Sequence, residues 1–138
     1  MATLADFSQW LESLPATMQP TAAELYQVAN KQVERIKNRT AQGISSDGTP
    51  FAPYSKNTKK SPPVNLFDTG DMLGNIQVLA DEREAVIFFS DSRQAEKAGY
   101  HNSGTSRMPQ RHFFGVSLQD RDEIMSDIRS AVFMRVNG

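Results

Sequence analysis

The chain has 138 residues, of which 38% are hydrophobic and 22% are charged. This size and composition predict one globular domain covering residues 1–138 and exclude a disordered tail. Lysine and arginine total 15 against 16 acidic residues, and the formal net charge of -1 argues against a protein whose main task is to coat nucleic acid. The chain contains no cysteine, which excludes disulfides and thiolate metal sites.

The sequence also lacks the patterns of membrane and secreted proteins. No apolar run approaches the length that crosses a bilayer. Met1–Leu14 lacks the basic segment and the continuous apolar segment of a signal peptide. We therefore expect the protein to be made and assembled in the cytoplasm.

The first third of the chain predicts two helices. A short one over Asp6–Leu14 has apolar residues at helical spacing, namely Phe7, Trp10, Leu11 and Leu14. Thr21 and Glu24 have the spacing of a capping box, which predicts the start of a long helix that runs to about Thr40. Gly43 ends the helical pattern. The predicted buried face of the long helix consists of Leu25, Val28, Ala29, Gln32, Val33 and Ile36.

A long connection follows, and then a short helix. Residues 43–65 contain four prolines, and a connection of this length in a compact domain is typically functional or flexible. Asp68 or Thr69 is placed to cap a short helix that runs through Ile76. We expect this helix to bury Leu73 and Ile76.

Two strands are predicted next, over Ile76–Ala80 and Ala85–Phe89. The polar residues 81–84 form the turn between them, so the pattern predicts a β-hairpin. The second strand is apolar throughout, which predicts that both of its faces are covered.

The last third predicts a helical turn or two over Gln94–His101, a third strand over Arg111–Val116 and a final helix from about Asp120 to Val136. The predicted core residues of the final helix are Ile124, Ile128, Ala131 and Val132. The fold class that follows is α+β, with a long N-terminal helix and a C-terminal helix packed on a small antiparallel sheet, and with long loops.

Titratable residues do not form a catalytic or metal-binding pattern. His101 and His112 lie on different predicted elements and lack the spacing of metal ligands. Asp68 and Asp71 are better explained as acidic residues at a helix start than as cation ligands. No nucleophile elbow and no phosphate-binding glycine loop is present. We therefore predict no catalytic residue, no metal and no cofactor.

One loop mixes basic and aromatic side chains, namely Phe51, Tyr54, Lys56, Lys59 and Lys60. Single-strand nucleic-acid binders use this mixture. A solvated loop whose aromatic residues pack back on the core is the favoured interpretation, because the net charge gives no wider basic surface. A contact surface for a neighbouring subunit is a third interpretation, since aromatic residues are enriched at interfaces.

Three segments resemble motifs of the phage virion morphogenesis family, the tail completion proteins of Mu-like and related tailed phages. Asp47–Ser55 resembles the family's D-G-x-x-W/F-x-P loop after a long helix, and Leu66–Ile76 resembles L-x-D-T-G-x-L-x-x-S-I. The third segment, Met108–Ser117, resembles I/M-P-x-R-P-F-L-G-L/I-S. A fourth and shorter stretch, Tyr100–Gly104, lies between the second and third segments and also resembles the family, in its I-H-x-x-G pattern. The chain departs from these patterns at Asn75, where serine is usual, and at His112, where proline is usual.

The resemblance spans about Lys31 to Ile128 and implies a structural virion protein that is not an enzyme. Such proteins cap the growing tail tube or join it to the head connector in the neck, commonly as a ring, and both six and twelve copies are compatible with the sequence. The implied partners are tail-tube and head–tail connector proteins, and lysines on a lumen-facing loop would meet passing DNA without sequence preference. The implied location is the tail or neck of the virion.

The resemblance also leads to a hypothesis for the subunit and partner contacts. We expect them in Phe51–Lys60 and Ser103–Arg111, with the candidate interface residues Phe51, Tyr54, Lys56, Lys59, Lys60, Arg107, Gln110 and Arg111. The alternative function is a small nucleic-acid-binding module that uses the lysine and aromatic loop. A metal-dependent nuclease using Asp68, Asp71 and His101 is a more distant alternative.

Overall fold

The structure is a computed structural model that describes residues 9, 13–15, 18–53, 66 and 70–137. The fold is α+β with an N-terminal helix, a C-terminal helix and a small antiparallel sheet, which confirms the predicted class. In chain order its elements are α1 (Ala22–Ala41), α2 (Asp71–Gly74), β1 (Ile76–Ala80), β2 (Ala85–Phe89), α3 (Ser92–Ser103) and α4 (Leu118–Asn137).

The chain divides into two compact units. The first comprises Met1–Gln32, Val78–Val86 and Val116–Gly138, and the second comprises Val33–Gln77 and Ile87–Gly115. Helix α1 and the β-hairpin each contribute residues to both units. The division into units therefore does not test the expectation of one domain, which stays a prediction.

The predicted capping box starts helix α1. The Glu24 amide donates to Thr21 Oγ1 at 3.1 Å, and the Thr21 amide donates to Glu24 Oε1 at 2.9 Å. These two bonds satisfy backbone donors that the first helical turn leaves unpaired. Gly43 ends the helical segment as predicted, with a positive φ of 76°.

The core of the first unit lies between the two long helices. Leu25 and Val28 of α1 pack with Ile128 and Val132 of α4, and Ala80 of β1 packs against this cluster. The predicted core positions on α4 are therefore confirmed for Ile128 and Val132. Burial of such aliphatic side chains is the dominant stabilising contribution, at roughly 1.5–3 kcal/mol each.

Helix α4 begins earlier than predicted, at Leu118. The Ser117 hydroxyl accepts from the Asp120 amide at 3.0 Å, and Asp120 Oδ2 accepts from the Ser117 amide at 3.1 Å. Ser117 and Asp120 therefore form a second reciprocal cap, with Asp120 inside the first turn. Asp120 is buried, and its Oδ2 also accepts from Gln32 Nε2 at 3.0 Å.

In the second unit, helix α2 is shorter than predicted and contacts α3. It ends at Gly74, and its N-cap is Gly70 in the left-handed region without a side-chain cap. The predicted caps Asp68 and Thr69 lie outside the described part of the chain. Leu73 and Ile76 are buried, as predicted.

The hairpin has the predicted strand boundaries, but the predicted cover of β2 on both faces is wrong for the described residues. Ala85 and Val86 are exposed, and Ile87, Phe88 and Phe89 are only half-buried. Strand β2 is therefore made of apolar residues, although none of them is fully buried.

Helix α3 is longer than the predicted one or two turns. It begins at Ser92 because Asp91 caps it, accepting from the amides of Arg93 at 2.8 Å and Gln94 at 3.4 Å. The predicted N-terminal helix Asp6–Leu14 lies mostly outside the described residues, although Gln9 and Ser13 are helical.

The predicted third strand over Arg111–Val116 is wrong. Its backbone bonds to several different groups instead of to one neighbouring strand. The Arg111 amide donates to the His101 carbonyl at 2.7 Å, the Ser46 amide donates to the His112 carbonyl at 2.7 Å, and the Phe114 amide donates to Asn102 Oδ1 at 2.9 Å. A strand ladder needs a continuous edge, and these residues have none among the described residues.

Candidate subunit interface

The first part of the candidate site is a tight turn after α1. Asp47 accepts from the Thr49 amide at 3.0 Å, from the Thr49 hydroxyl at 2.7 Å and from the Ser45 hydroxyl. Gly48 follows with a φ of 91°, a conformation that glycine adopts without steric cost. These hydrogen bonds, the one from Ser45 first, lower the pKa of Asp47 to about 2. The Asp-Gly pair of this motif is thus a turn-forming element.

The turn places Phe51 in the interior. The Ile44 and Pro50 backbones form an antiparallel bridge, and the Phe51 amide donates to the Gly43 carbonyl at 2.8 Å. The Phe51 side chain is only 8% exposed. For Phe51, this placement matches the interpretation in which the aromatic residues of the loop pack back on the core.

Arg111 connects this loop to the C-terminal motif. Its Nε donates to the Ala52 carbonyl and its Nη2 donates to the Pro53 carbonyl, each at 2.9 Å. The residue is 4% exposed, and its planar guanidinium supplies two donors in a fixed geometry. The Arg111 side chain therefore links the C-terminal motif to two residues that lie 58 and 59 positions earlier in the sequence.

The segment after Arg111 is fixed by two side chains that sequence reasoning missed. Arg39 Nη2 donates to the Gly115 carbonyl at 2.8 Å and to the Phe113 carbonyl at 3.4 Å. The Asn102 amide donates to the Phe114 carbonyl at 3.1 Å. The sequence features that could have predicted these contacts are the position of Arg39 in the last turn of α1 and that of Asn102 in the last turn of α3.

An aromatic cluster lies under this segment. Phe113 has no exposed surface, and its ring centroid is 6.4 Å from that of Phe89 in an edge-to-face arrangement. The ring centroid of Phe114 lies 5.1 Å from that of Phe89 and 6.1 Å from that of Phe113. Pairs at these distances contribute about 0.5–1.5 kcal/mol each beyond their buried area. The two phenylalanines of the motif therefore belong to the scaffold.

An exposed turn precedes Arg111 and carries Arg107. The Thr105 amide donates to the Met108 carbonyl at 2.8 Å, and the Arg107 amide donates to Thr105 Oγ1 at 3.2 Å. Gln110 is exposed too, with its side-chain amide donating to the Asn102 carbonyl at 2.9 Å. We call residues 105–110 the exposed turn.

The structure thus separates the candidate interface residues into groups. Arg107 and Gln110 are exposed, whereas Phe51 and Arg111 are buried and bonded within the chain. The other four candidates, Tyr54, Lys56, Lys59 and Lys60, lie outside the described residues. The interface as a whole stays a prediction.

The titratable residues of the nuclease alternative do not form a metal cluster in the described part of the chain. There, no group of three or more histidine, cysteine, aspartate or glutamate side chains could hold a metal ion. His101 is buried, and its carbonyl accepts from the Arg111 amide. His112 is exposed. None of the described helices is long and apolar enough to cross a membrane.

Comparison with known proteins gives the class to which this scaffold belongs. The sequence model of the phage virion morphogenesis family matches residues 2–132. The chain belongs to the phage virion morphogenesis family and is therefore a virion-associated phage protein. No curated protein and no solved structure matches the chain.

Proposed function

We propose that this chain acts in tail completion or head–tail joining, as a tail terminator or neck subunit in a ring. Family membership supports a role in virion morphogenesis. The supporting observation within the chain is the link from Arg111 to Ala52 and Pro53, which joins two motif segments into one scaffold. The partners in this proposal are tail-tube and head–tail connector proteins.

The proposed role is structural and not catalytic. The polar motif residues serve internal hydrogen bonds: Asp47 shapes a turn, and the Arg111 guanidinium bonds backbone carbonyls. A side chain engaged in this way holds the position of a loop. Exposed neighbours of such a scaffold are then presented at fixed places, which lowers the entropic cost of binding a partner.

The proposed contact surface is narrower than the candidate set from the sequence. Arg107 and Gln110 would contact a neighbouring subunit or ring protein directly, because both are exposed. Phe51 and Arg111 would act from the interior by holding the loop in place. The remaining contacts would come from four residues that only the sequence suggests, namely Tyr54, Lys56, Lys59 and Lys60.

Charge reversal in a complementation assay tests this surface. A phage lacking the chain would be supplied with either the triple variant Lys56→Glu, Lys59→Glu, Lys60→Glu or the single variant Arg107→Glu. We expect infectious particle yield to fall at least about tenfold for each, because like charges opposed across an interface are unfavourable. Arg129→Glu is the control, since Arg129 is exposed on α4 and outside this surface. A normal yield of infectious particles from both test variants would contradict the proposed contact surface.

The ring is tested by measuring the mass of the purified protein, alone and with assembled tails, followed by negative-stain imaging. A ring in solution, or a monomer that forms a ring on a tail end, is the expected result. A monomer that ignores tails and binds DNA at physiological salt would instead support the nucleic-acid-binding alternative.

A further inference from the structure

The register of the β-hairpin follows from two backbone hydrogen bonds. The Asp81 amide donates to the Glu84 carbonyl at 2.9 Å, and the Ser90 amide donates to the Asn75 carbonyl at 3.4 Å. In an antiparallel pair, hydrogen-bonded and non-hydrogen-bonded positions alternate along each strand. The backbone groups of alternate residues in β2 therefore point towards β1, and those of Ala85, Ile87 and Phe89 point towards the free edge.

The free edge of β2 has no strand beside it among the described residues. The sheet has two strands, and its order is β1 then β2. Isolated two-stranded sheets are marginally stable in water. Exposed edges normally carry lysine, proline or a bulge that prevents pairing with another chain, but β2 has the sequence AVIFF. Its composition is that of a strand with a partner.

We propose that β2 pairs antiparallel with β2 of a second copy of this chain, about a two-fold axis at Ile87. The two Ile87 residues would exchange backbone hydrogen bonds at the axis. Ala85 of one copy would then lie opposite Phe89 of the second copy, and Val86 opposite Phe88. The result is a four-stranded sheet that continues across both copies.

The side chains of β2 complement themselves in this register. The smallest residue, Ala85, meets a large one, Phe89, and the apolar Val86 meets the apolar Phe88. Val86 is 46% exposed within one copy, so the contact would cover apolar surface that the single chain leaves in water. Cross-strand aromatic and β-branched pairs of this kind stabilise sheets.

Charge complementarity at the ends of β2 favours the same register. Arg83 lies in the turn two residues before the strand, and Asp91 lies two residues after it. With Ile87 on the axis, the end of β2 near Arg83 in each copy lies beside the end near Asp91 in the other. Both residues are exposed, and Asp91 uses its Oδ1 to cap α3. The corresponding self-pairing of β1 about Val78 brings together Asn75 and Asp81, which offer no opposite charges.

This contact joins the same surface on both copies, so it makes pairs and does not by itself close a larger ring. The strand edge and its flanking charges support this pairing independently of the proposed function. Self-association of purified protein therefore tests it separately from particle assembly.

Single-cysteine cross-linking is a direct test, because the natural chain contains no cysteine. Hydrogen-bonded residues across antiparallel strands have Cα atoms about 5.5 Å apart, which is within the range of a disulfide. Full-length Ile87→Cys should form a covalent dimer under mild oxidation. Val78→Cys, at the equivalent outward position of β1, is the matched control and should stay monomeric on a denaturing gel. Equal cross-linking of the two variants, or none in Ile87→Cys, would overturn the proposal.

Proline variants test the backbone pairing without altering the hairpin ladder. Ile87→Pro and Val78→Pro each remove an amide that points away from the other strand, a position where an edge strand tolerates proline. In sedimentation measurements over a concentration series, Ile87→Pro should raise the dimer dissociation constant at least about tenfold, because two intermolecular donors are lost. Val78→Pro should leave that constant unchanged. An equal effect of both variants, or a wild-type protein that stays monomeric throughout, would contradict the pairing.

Discussion

The guanidinium of Arg111 donates to the carbonyl of Ala52 at 2.9 Å, although the two residues are 59 positions apart in sequence. A second donor of the same side chain bonds the neighbouring Pro53 carbonyl at the same distance. Because Arg111 itself is buried, its guanidinium depends on such carbonyls as hydrogen-bond partners. The Arg111 side chain therefore helps to hold Ala52 and Pro53 in position.

Arg111→Ala should destabilise the protein by about 2–4 kcal/mol, because it removes two charge-assisted hydrogen bonds and the packing of a buried side chain. Arg111→Lys should recover only part of this loss, since an ammonium cannot reproduce the planar two-donor geometry. Urea unfolding of the purified variants measures both effects. Arg107→Ala, at an exposed position nearby, should change stability by no more than about 0.5 kcal/mol. Equal stability of the two alanine variants would show that the link contributes nothing.

Two glycines near α3 should respond oppositely to alanine. Gly104 has a φ of 76°, and an added Cβ would lie 2.9 Å from the Gln110 backbone nitrogen. Gly104→Ala should therefore cost about 1–3 kcal/mol through strain and steric overlap. Gly99 lies within α3 with no atom within 4 Å of an added Cβ, so Gly99→Ala should stabilise by about 0.5–1 kcal/mol. Thermal unfolding compares the pair, and a tolerated Gly104→Ala would contradict the described turn.

Asp47 should give the protein a pH-dependent contribution to stability. Its pKa is lowered from 3.8 to about 2 by the hydrogen bonds from Ser45 and Thr49. The folded pKa lies below the unfolded one, so this contribution is present above about pH 4 and is lost as the pH falls through about 2. Asp47→Asn should lack this dependence, and the stability gap between wild type and variant should narrow on acidification. NMR titration of the Asp47 carboxyl checks the cause; a midpoint at its ordinary value would contradict it.

Asp120 should matter more than its acidic neighbours in α4. It is buried, caps the helix with Ser117 and accepts from the buried Gln32 amide. Asp120→Ala should cost about 2–3 kcal/mol, because a helix cap and a buried hydrogen bond to a charged group are lost. Asp122→Ala removes an exposed carboxylate from the same turn and should cost about 0.5 kcal/mol. Similar losses in denaturant unfolding would show that the Gln32 contact is unimportant.

Local signals predicted the elements that depend on neighbours in sequence. The capping box at Thr21 and Glu24 places the start of α1, and the polar turn between Ile76–Ala80 and Ala85–Phe89 places both strands. These features need only residues within a few positions of one another, so the sequence contains their cause.

The predictions that were wrong concern residues whose contacts are distant in sequence. Arg111–Val116 has the composition of a strand, but its backbone bonds to Arg39, Ser46 and Asn102 and to no strand edge in the described structure. Likewise, the apolar pattern of β2 shows that the strand is suited to burial without showing which chain covers it. The Arg111 contact had no local signal either, because its acceptors are backbone carbonyls that any residue carries.

In the proposed function, this chain completes the tail of a phage particle or joins it to the head. The most direct measurement is electron microscopy of lysates from a phage whose copy of this chain is interrupted by a stop codon, with and without the protein supplied in trans. We predict filled heads separate from tails, or tails of unregulated length, and recovery of joined particles on complementation. Complete infectious particles at normal yield without the protein would contradict the account.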